Sequence, residues 1–214
     1  MKVRAAVLRE IGRPGPYAET RPLGIEDVEL DPPGKGEVLV RIRAAGLCHS
    51  DLSVIDGNRP RPMPMVLGHE AAGVVEEVGP GITHLQRGDH VVAAFVPSCG
   101  HCIPCATGRP ALCEPGFKAN TAGTLLSGER RLHDNHGTVN HHLGVSGFAQ
   151  YSVLAANSLV KVPSDLPFAE AALFGCAVIT GVGAVVNTAQ MPHGVSAAVI
   201  GLGGVGLAAL LAAR

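Results

Sequence analysis

Cys99-Gly100-His101-Cys102-Ile103-Pro104-Cys105-Ala106-Thr107-Gly108-Arg109-Pro110-Ala111-Leu112-Cys113 carries four of the six cysteines of this chain, in a C-x2-C-x2-C-x7-C spacing. Structural zinc takes four ligands in a tetrahedron, and spacings this short let one loop wrap the ion from several sides. Pro97 and Pro104 stiffen the loop, while Gly100 and Gly108 permit its turns. The competing metal reading is an iron–sulfur cluster, since bacterial ferredoxins also open with C-x2-C-x2-C. Against it, the fourth cysteine follows seven residues instead of three, and no second cluster set is present. Four ordinary core thiols are the remaining alternative, which the tight spacing opposes. Residues 97–147 are weakly periodic and rich in Cys, Gly and His, and read as long loops. Such loops in a compact domain need an internal tie, and a metal would supply it.

The rest of the composition fits a zinc-tied β-rich domain. In 214 residues, 46% are hydrophobic but only 3% aromatic, so the core is expected to be built from Val, Leu, Ile and Ala. The 28 glycines and 16 prolines suit short strands joined by turns and argue against a helical bundle. Lys and Arg nearly balance Asp and Glu, with no basic run to track a phosphate backbone, which argues against a nucleic-acid partner. Charges at Lys2, Arg4, Arg9 and Glu10 stand where a signal peptide needs an apolar stretch, so a cytoplasmic location is expected and the cysteines read as metal-binding. No Asp, Glu, Lys or Arg occurs from Ala171 to Ala213, and the run 195–213 has the hydropathy of a membrane helix. Gly201, Gly203, Gly204 and Gly206 interrupt that run, and a buried strand feeding a buried helix gives the same hydropathy, so no membrane span is expected.

Alternation predicts strands over 2–8 and 37–45, the second with Val38, Val40, Ile42 and Ala44 on one face. A short helix is expected over 48–56, then an extended segment imposed by Pro60, Pro62 and Pro64. Further strands are expected over 71–78, 90–95, 148–154 and 158–162, and helices over 167–174 and 177–190. Residues 196–200 read as a short apolar strand, 201–206 as a tight turn, and 205–214 as the first turns of a helix.

Three ligand-type residues lie outside the cysteine cluster. Cys48 follows a predicted strand, His69 sits in Leu67-Gly68-His69-Glu70-Ala71, and Cys176 joins two helical segments in Gly175-Cys176-Ala177. Each alone is more often a packed core residue. Together, a Cys2His set leaves a fourth position open, as a Lewis-acid zinc requires. Two thiolates and a neutral imidazole also cancel the charge of the ion.

Segments 46–51, 68–77, the four-cysteine lobe, 148–153, 175–183 and 199–206 are similar to the zinc-containing medium-chain alcohol dehydrogenases. Residues 139–152, with His141-His142-Leu143-Gly144, look most like the longer-loop branch that includes the glutathione-dependent formaldehyde dehydrogenases. The resemblance runs from about residue 5 to residue 210. It implies a mainly β fold with some α: a GroES-like catalytic domain over 1–176, with a structural zinc lobe at 97–115. The start of a Rossmann dinucleotide-binding domain would follow over 177–214. It further implies a catalytic zinc on Cys48, His69 and Cys176, and a structural zinc on Cys99, Cys102, Cys105 and Cys113. Glu70 would modulate the catalytic site, Asp51 would orient His69 from behind, and Ser50 would pass on the substrate proton. His49 would face the cofactor pyrophosphate and Thr180 the nicotinamide. The implied cofactor is NAD, with NADP left open, the substrate a small alcohol or aldehyde, and the full-length protein a homo-oligomer, a dimer or tetramer. Some relatives place a His where this chain has Ser53, which leaves the exit route of the proton open.

Gly201-Leu202-Gly203-Gly204-Val205-Gly206 is a G-x-G-x-x-G motif. Alone it is weak, and a simple glycine-rich turn is the alternative. Between an apolar strand and an apolar helix it suits close approach of backbone to a pyrophosphate, which makes Gly201, Gly203, Gly204, Val205 and Gly206 candidate cofactor contacts. An acidic ribose-binding residue is expected about 20 positions further on, and Arg214 comes before that position. The sequence therefore reads as a fragment. A zinc-stabilised GroES-like module without turnover is the rival function, and a membrane-anchored metal protein a third.

Overall fold

The computed structural model describes residues 1–214. Its first strand, β1 (Lys2–Leu8), buries Val3, Ala5 and Val7 on alternate positions and is followed by a short helix, α1 (Tyr17–Thr20). The second strand, β2 (Leu23–Leu30), pairs antiparallel with β1 over its full length. It was not anticipated, because only Val28 and Leu30 are buried on it and its outer positions carry Glu and Asp. The long β3 (Glu37–Gly46) leads into α2 (His49–Ile55), and a two-residue β4 (Met65–Val66) leads into β5 (Glu70–Val78) and β6 (His90–Ala93).

Residues 97–147 do not form plain loops, as their composition predicted. They hold two short helices, α3 (Ile103–Ala106) and α4 (Glu114–Ala122), and two strands, β7 (Leu132–Asp134) and β8 (Gly137–His141). These elements leave little trace in sequence. Only Gly116, Ala119 and Asn120 of α4 are buried, and β7 and β8 are held by partners far away, β2 and β4. Strands β9 (Tyr151–Ala155) and β10 (Leu159–Lys161) then complete the β framework. Helical residues Phe168–Ala171 (α5) run into a 3-10 turn, Ala172–Gly175, and α6 (Ala177–Gly183) runs into a wider π-helical turn, Ala184–Thr188.

Two β layers result. Strands β1-β2-β7-β8-β4 close into a barrel, filled by Val3, Val7, Leu30, Val66, Leu125 and Leu132. The second layer is a five-stranded sheet in the order β10-β6-β5-β3-β9, whose core is Val38, Val40, Val75, Val91 and Leu154. Valine and leucine do this work because β-branched and aliphatic side chains pack on a pleated, half-buried surface.

The expected strand over 196–200 is absent. Those residues have no strand partner, all but Val199 are exposed, and Ile200 is 99% exposed. A parallel strand takes its backbone hydrogen bonds from neighbouring strands, so apolarity alone cannot make one. The helix after the glycine turn does form, as α7 (Gly204–Ala213), and it packs on α6. A Cβ on Gly181 would meet the Val205 carbonyl oxygen, so glycine there permits the contact. No single helix is long and apolar enough to cross a membrane.

Candidate functional site

Sheet register brings the dispersed ligands together. Gly46 at the end of β3 pairs with Glu70 at the start of β5, so Cys48, just past β3, meets His69, just before β5. Ala71 of β5 pairs with Ala93 of β6, and the backbone of Gly175 lies on the Ala93 carbonyl oxygen, close enough that a Cβ at 175 would strike it. That contact seats Cys176 at the same corner of the sheet. The ligand atoms of Cys48, His69, Glu70 and Cys176 all lie within 4.8 Å of one another. All six cysteines are free thiols.

Asp51 organises this corner. It lies on α2 with its side chain buried, 3% exposed. Oδ1 accepts from the Gly68 backbone N–H at 3.1 Å and stands 3.1 Å from His69 Nδ1, while Oδ2 accepts from the Cys48 backbone N–H at 3.4 Å. One carboxylate thus ties together the backbones before both ligands and places the Nδ1 proton of His69 on itself. Nε2 is left to face the sulfurs, which is how a carboxylate sets the tautomer of a metal-binding imidazole. Burial opposes a charged Asp51, but the imidazoles of His142 and His69 outweigh it and hold its pKa well below the carboxylate range. Burial likewise opposes a charged His69, yet Asp51 and the Cys176 sulfur raise its pKa to about 10. Burial raises Cys176, whereas at Cys48 the Ser50 hydroxyl and backbone N–H overcome burial and lower the thiol. A neighbouring cation stabilises a thiolate and an imidazole lone pair in such a place, so the donor set fits zinc.

His142, which the sequence reading did not assign, stands 3.2 Å from the same Asp51 oxygen. Its Nδ1 is too poorly aligned to hydrogen-bond and has no other partner. Asp51, His69 and His142 are close enough to share an ion, but His69 Nδ1 is already committed to Asp51.

Ser50 lies in the middle of the dispersed set. Its hydroxyl is 3.1 Å from the Cys48 sulfur and 3.3 Å from His69 Nε2. A cavity of about 700 Å³ opens over Cys48, Ser50, His69 and Cys176, walled by Phe95, Leu143, Thr180 and Val205 among others. The expected cofactor residues are only partly gathered there. Thr180 and Val205 line the cavity; His49 is exposed and meets Ser53, whose hydroxyl is 3.4 Å from its Nδ1 and donates to its carbonyl. The turn at 201–206 has the backbone its glycines suggest at two positions. Gly201 takes φ +96°, in the left-handed region, and a Cβ on Gly206 would strike the Gly201 carbonyl oxygen. Gly203 and Gly204 are exposed; a Cβ on Gly203 would meet nothing, while one on Gly204 would press on the Ala177 side chain at 3.2 Å. Arg59, Arg61 and Asn120 also line the cavity and were missed, since nothing in their local sequence marks them.

The second ligand set is equally tight. Cys99, Cys102, Cys105 and Cys113 converge within the same 4.8 Å limit. The backbone N–H groups of His101 and Cys102 pull the Cys99 thiol down to about 6, while partial loss of solvent within the cluster and the neighbouring thiols push Cys105 up to about 12. Four thiols in so small a volume cannot all ionise against one another, and a divalent cation removes that conflict. No residue from Ser98 to Leu112 is buried, so apolar packing does not hold this lobe. The chemistry of the donors again fits zinc.

Comparison with known proteins agrees with this geometry. The chain is 42% identical over 215 residues to the S-(hydroxymethyl)glutathione dehydrogenase of Synechocystis sp., and 41% identical over 216 residues to that of Paracoccus denitrificans. In both cases all of this chain is covered, but 56% of the relative. It is similar to the crystal structure of an alcohol dehydrogenase zinc-binding domain protein from Burkholderia ambifaria, with a TM-score of 0.91 and 42% identity over 100% of this chain and 56% of that one. For benzyl alcohol dehydrogenase from Acinetobacter calcoaceticus the TM-score is 0.83 at 38% identity, over 100% and 55%. The chain therefore spans just over half the length of these relatives. The pattern of the alcohol dehydrogenase GroES-like domain matches residues 34–164, a stretch that holds Cys48, His69 and the whole four-cysteine lobe. By that match this chain belongs to the alcohol dehydrogenase GroES-like domain family.

Proposed function

We propose that the protein containing this chain is a zinc-dependent, nicotinamide-linked alcohol dehydrogenase that interconverts a small alcohol and its aldehyde. The carrying observation is the convergence of Cys48, His69, Glu70 and Cys176 under one cavity, with the Ser50 hydroxyl touching two of them. Cys48, His69 and Cys176 would hold a catalytic zinc with Glu70 beside it, and Cys99, Cys102, Cys105 and Cys113 a structural one. When bound, zinc supplies Lewis acidity that makes an alcohol hydroxyl a stronger acid, and the nicotinamide supplies the hydride acceptor.

The chain's own residues do the rest. Ser50 accepts the hydroxyl proton of the substrate and releases its own, and the reverse transfer serves aldehyde reduction. With Nε2 given to zinc, Asp51 would hold the remaining imidazole proton of His69 at Nδ1. Phe95 and Leu143 supply an apolar wall that excludes water from the reacting carbon. Thr180 and Val205 stand on the cofactor side of the cavity. His49 and the turn of Gly201, Gly203, Gly204, Val205 and Gly206 would approach the pyrophosphate of NAD, or of NADP. In this reading residues 1–176 are the catalytic domain and 177–214 the beginning of the dinucleotide-binding domain. The full-length protein is then a cytoplasmic homo-oligomer.

The test is hydride transfer by the zinc-loaded, full-length polypeptide, followed as reduced nicotinamide with primary alcohols. Turnover that falls about a hundredfold in kcat on Ser50→Ala supports the reading, since a positioned proton-transfer group contributes roughly 10²–10⁴. Two zincs per chain with no transfer to NAD or NADP favours the rival, a zinc-binding GroES-like module.

A further inference from the structure

One buried imidazole takes no part in the proton and hydride steps. His142 is 1% exposed, and its Nδ1 is enclosed without a hydrogen-bond partner. Buried polar groups are ordinarily paired, so this one calls for a reason. Crowding at Asp51 supplies it. Three nitrogens meet at Oδ1: Gly68 N at 3.1 Å, His69 Nδ1 at 3.1 Å and His142 Nδ1 at 3.2 Å. A carboxylate oxygen offers two lone pairs, so two donors align and the third is left over. Oδ2 of the same carboxylate meets the Cys48 N–H at 3.4 Å. With a negative charge so near, His142 carries its proton on Nδ1, since a lone pair there would face the carboxylate.

The backbone keeps His142 in place. On one side, the His141 N–H donates to the Gly123 carbonyl at 2.9 Å. On the other, the Gly147 and Phe148 N–H groups donate to the carbonyls of Gly68 and Leu67 at 2.8 and 3.0 Å, the residues just before His69. Between these clamps the Val145 and Ser146 N–H groups close a turn on the His142 carbonyl, and the His142 N–H donates to the Ser146 hydroxyl at 3.0 Å. Leu143 and Ser146 take φ +53° and +51° there, a region few residues other than glycine adopt. A turn tied at so many points cannot swing the ring away from Asp51. The ring also lies edge-on to that of His69, with centroids 5.7 Å apart.

We propose that His142 is a positioning residue that competes with His69 for Asp51 Oδ1, and so limits how firmly that carboxylate holds the His69 Nδ1 proton. A donor that shares an oxygen weakens its rival's bond, and a less firmly held Nδ1 proton makes Nε2 a less basic ligand. His142 thereby sets the strength of a metal ligand that it does not replace. This deepens the dehydrogenase reading and rests on it for the zinc at Cys48, His69 and Cys176.

The experiment is zinc competition with a chelator on the full-length protein, unmodified and as His142→Phe and His142→Asn. Phe keeps the shape of the ring and removes the donor, whereas Asn loses the ring and keeps an amide N–H where Nδ1 stands. In H142F the site at Cys48, His69 and Cys176 should bind zinc about three- to tenfold more tightly, below the 10–100-fold typical of a direct outer partner, and H142N should stay within about twofold of the unmodified protein. His142→Leu, smaller and also without a donor, should follow H142F, and the four-cysteine site should be the same throughout. The His69 imidazole N–H, read by proton NMR with ¹⁵N-labelled histidine, should move downfield in H142F, as a stronger hydrogen bond requires, and not in H142N. A ring that merely packs gives the reverse order, with Phe tolerated and Asn weakening the site. That order, a site no tighter in H142F and H142L, or a His69 resonance that does not move overturns the proposal. So does a third zinc per chain that H142F loses, which would make His142 a ligand with Asp51. If zinc follows the expected order but no alcohol is oxidised with NAD or NADP, the dehydrogenase reading falls and the competition stands. If the site takes no zinc, that reading falls too, and the His69 resonance of the zinc-free protein decides: a downfield shift in H142F sustains the competition, and no shift sinks it.

Discussion

Replacing Asp51 with Asn keeps the shape of the side chain and removes its charge, so it isolates what the carboxylate does. Asp51 accepts from Gly68 N–H and His69 Nδ1–H on one oxygen and from Cys48 N–H on the other. Asn offers one acceptor in place of two. If its oxygen keeps the Gly68 and His69 bonds, its NH₂ faces the Cys48 N–H, donor against donor. If it flips, the NH₂ faces His69 and drives the imidazole proton to Nε2, the atom that must face the metal. The first orientation is the less costly. It leaves one donor unsatisfied, at about 1–3 kcal/mol, and weakens two charge-assisted bonds by about 1 kcal/mol each. Much of that cost falls on the fold at this corner. The share felt by the metal comes through a less basic, less firmly held His69, and outer partners of metal ligands typically contribute 10–100-fold in affinity. Zinc competition titration with a chelator should resolve the two proposed sites per chain. The site at Cys48, His69 and Cys176 should weaken about 10–100-fold, while the four-cysteine site, which makes no contact with Asp51, should hold its zinc unchanged. Equal weakening of both sites, or of neither, refutes the reasoning.

Other perturbations read different parts of the molecule. Cys105→Ser should lower zinc from two to one per chain and open residues 97–115 to proteolysis, because no residue from Ser98 to Leu112 is buried and the proposed structural zinc would be the tie; unchanged cleavage there would count against a structural zinc. Gly175→Ala drives a methyl into the Ala93 carbonyl and should cost about 1–3 kcal/mol, with weaker zinc at the Cys176 site, measurable by denaturation and chelator competition. His141 is fully buried, its Nε2 accepts from the Arg131 backbone N–H, and burial holds its pKa at about 3. Its folded pKa lies below the unfolded value of about 6.5, so the unfolded chain takes up the proton first and stability falls as pH drops from about 6.5 toward 3. His141→Gln should remove a share of the acid loss of order 2 kcal/mol at pH 5, read as the difference between denaturant midpoints at pH 7 and pH 5; an acid limb as steep as before would show that His141 does not carry it.

The parts legible in sequence were those whose cause is local. The four-cysteine spacing marked a cluster of ligand-type thiols, and the four sulfurs do converge, because residues so close in the chain are close in space. The alternation of Val38, Val40 and Ile42 predicted β3, and the helix read over 48–56 and the strand read over 71–78 fell within a residue of α2 (His49–Ile55) and β5 (Glu70–Val78). The illegible parts depend on remote partners. β7 and β8 exist because β2 and β4 offer them edges, and the apolar residues 196–200 form no strand because no neighbour pairs with them. Likewise Arg59, Arg61, Asn120 and His142 have nothing in their flanking residues to distinguish them from surface or core.

By itself, then, the sequence determined which residues could bind metal and that the core would be aliphatic and β-rich. Their chemistry was readable in one dimension, and a family resemblance named the dispersed set. Only the tertiary structure decided that Cys48, His69 and Cys176 share a corner, through the pairing of Gly46 with Glu70 and Ala71 with Ala93 and the seat of Gly175 on β6. It also decided that a second imidazole, His142, would press on the Asp51 oxygen that faces His69. The physical reason is one of range: ligand type and periodicity are properties of neighbours in the chain, whereas convergence and charge pairing depend on strand registers set by contacts many residues apart.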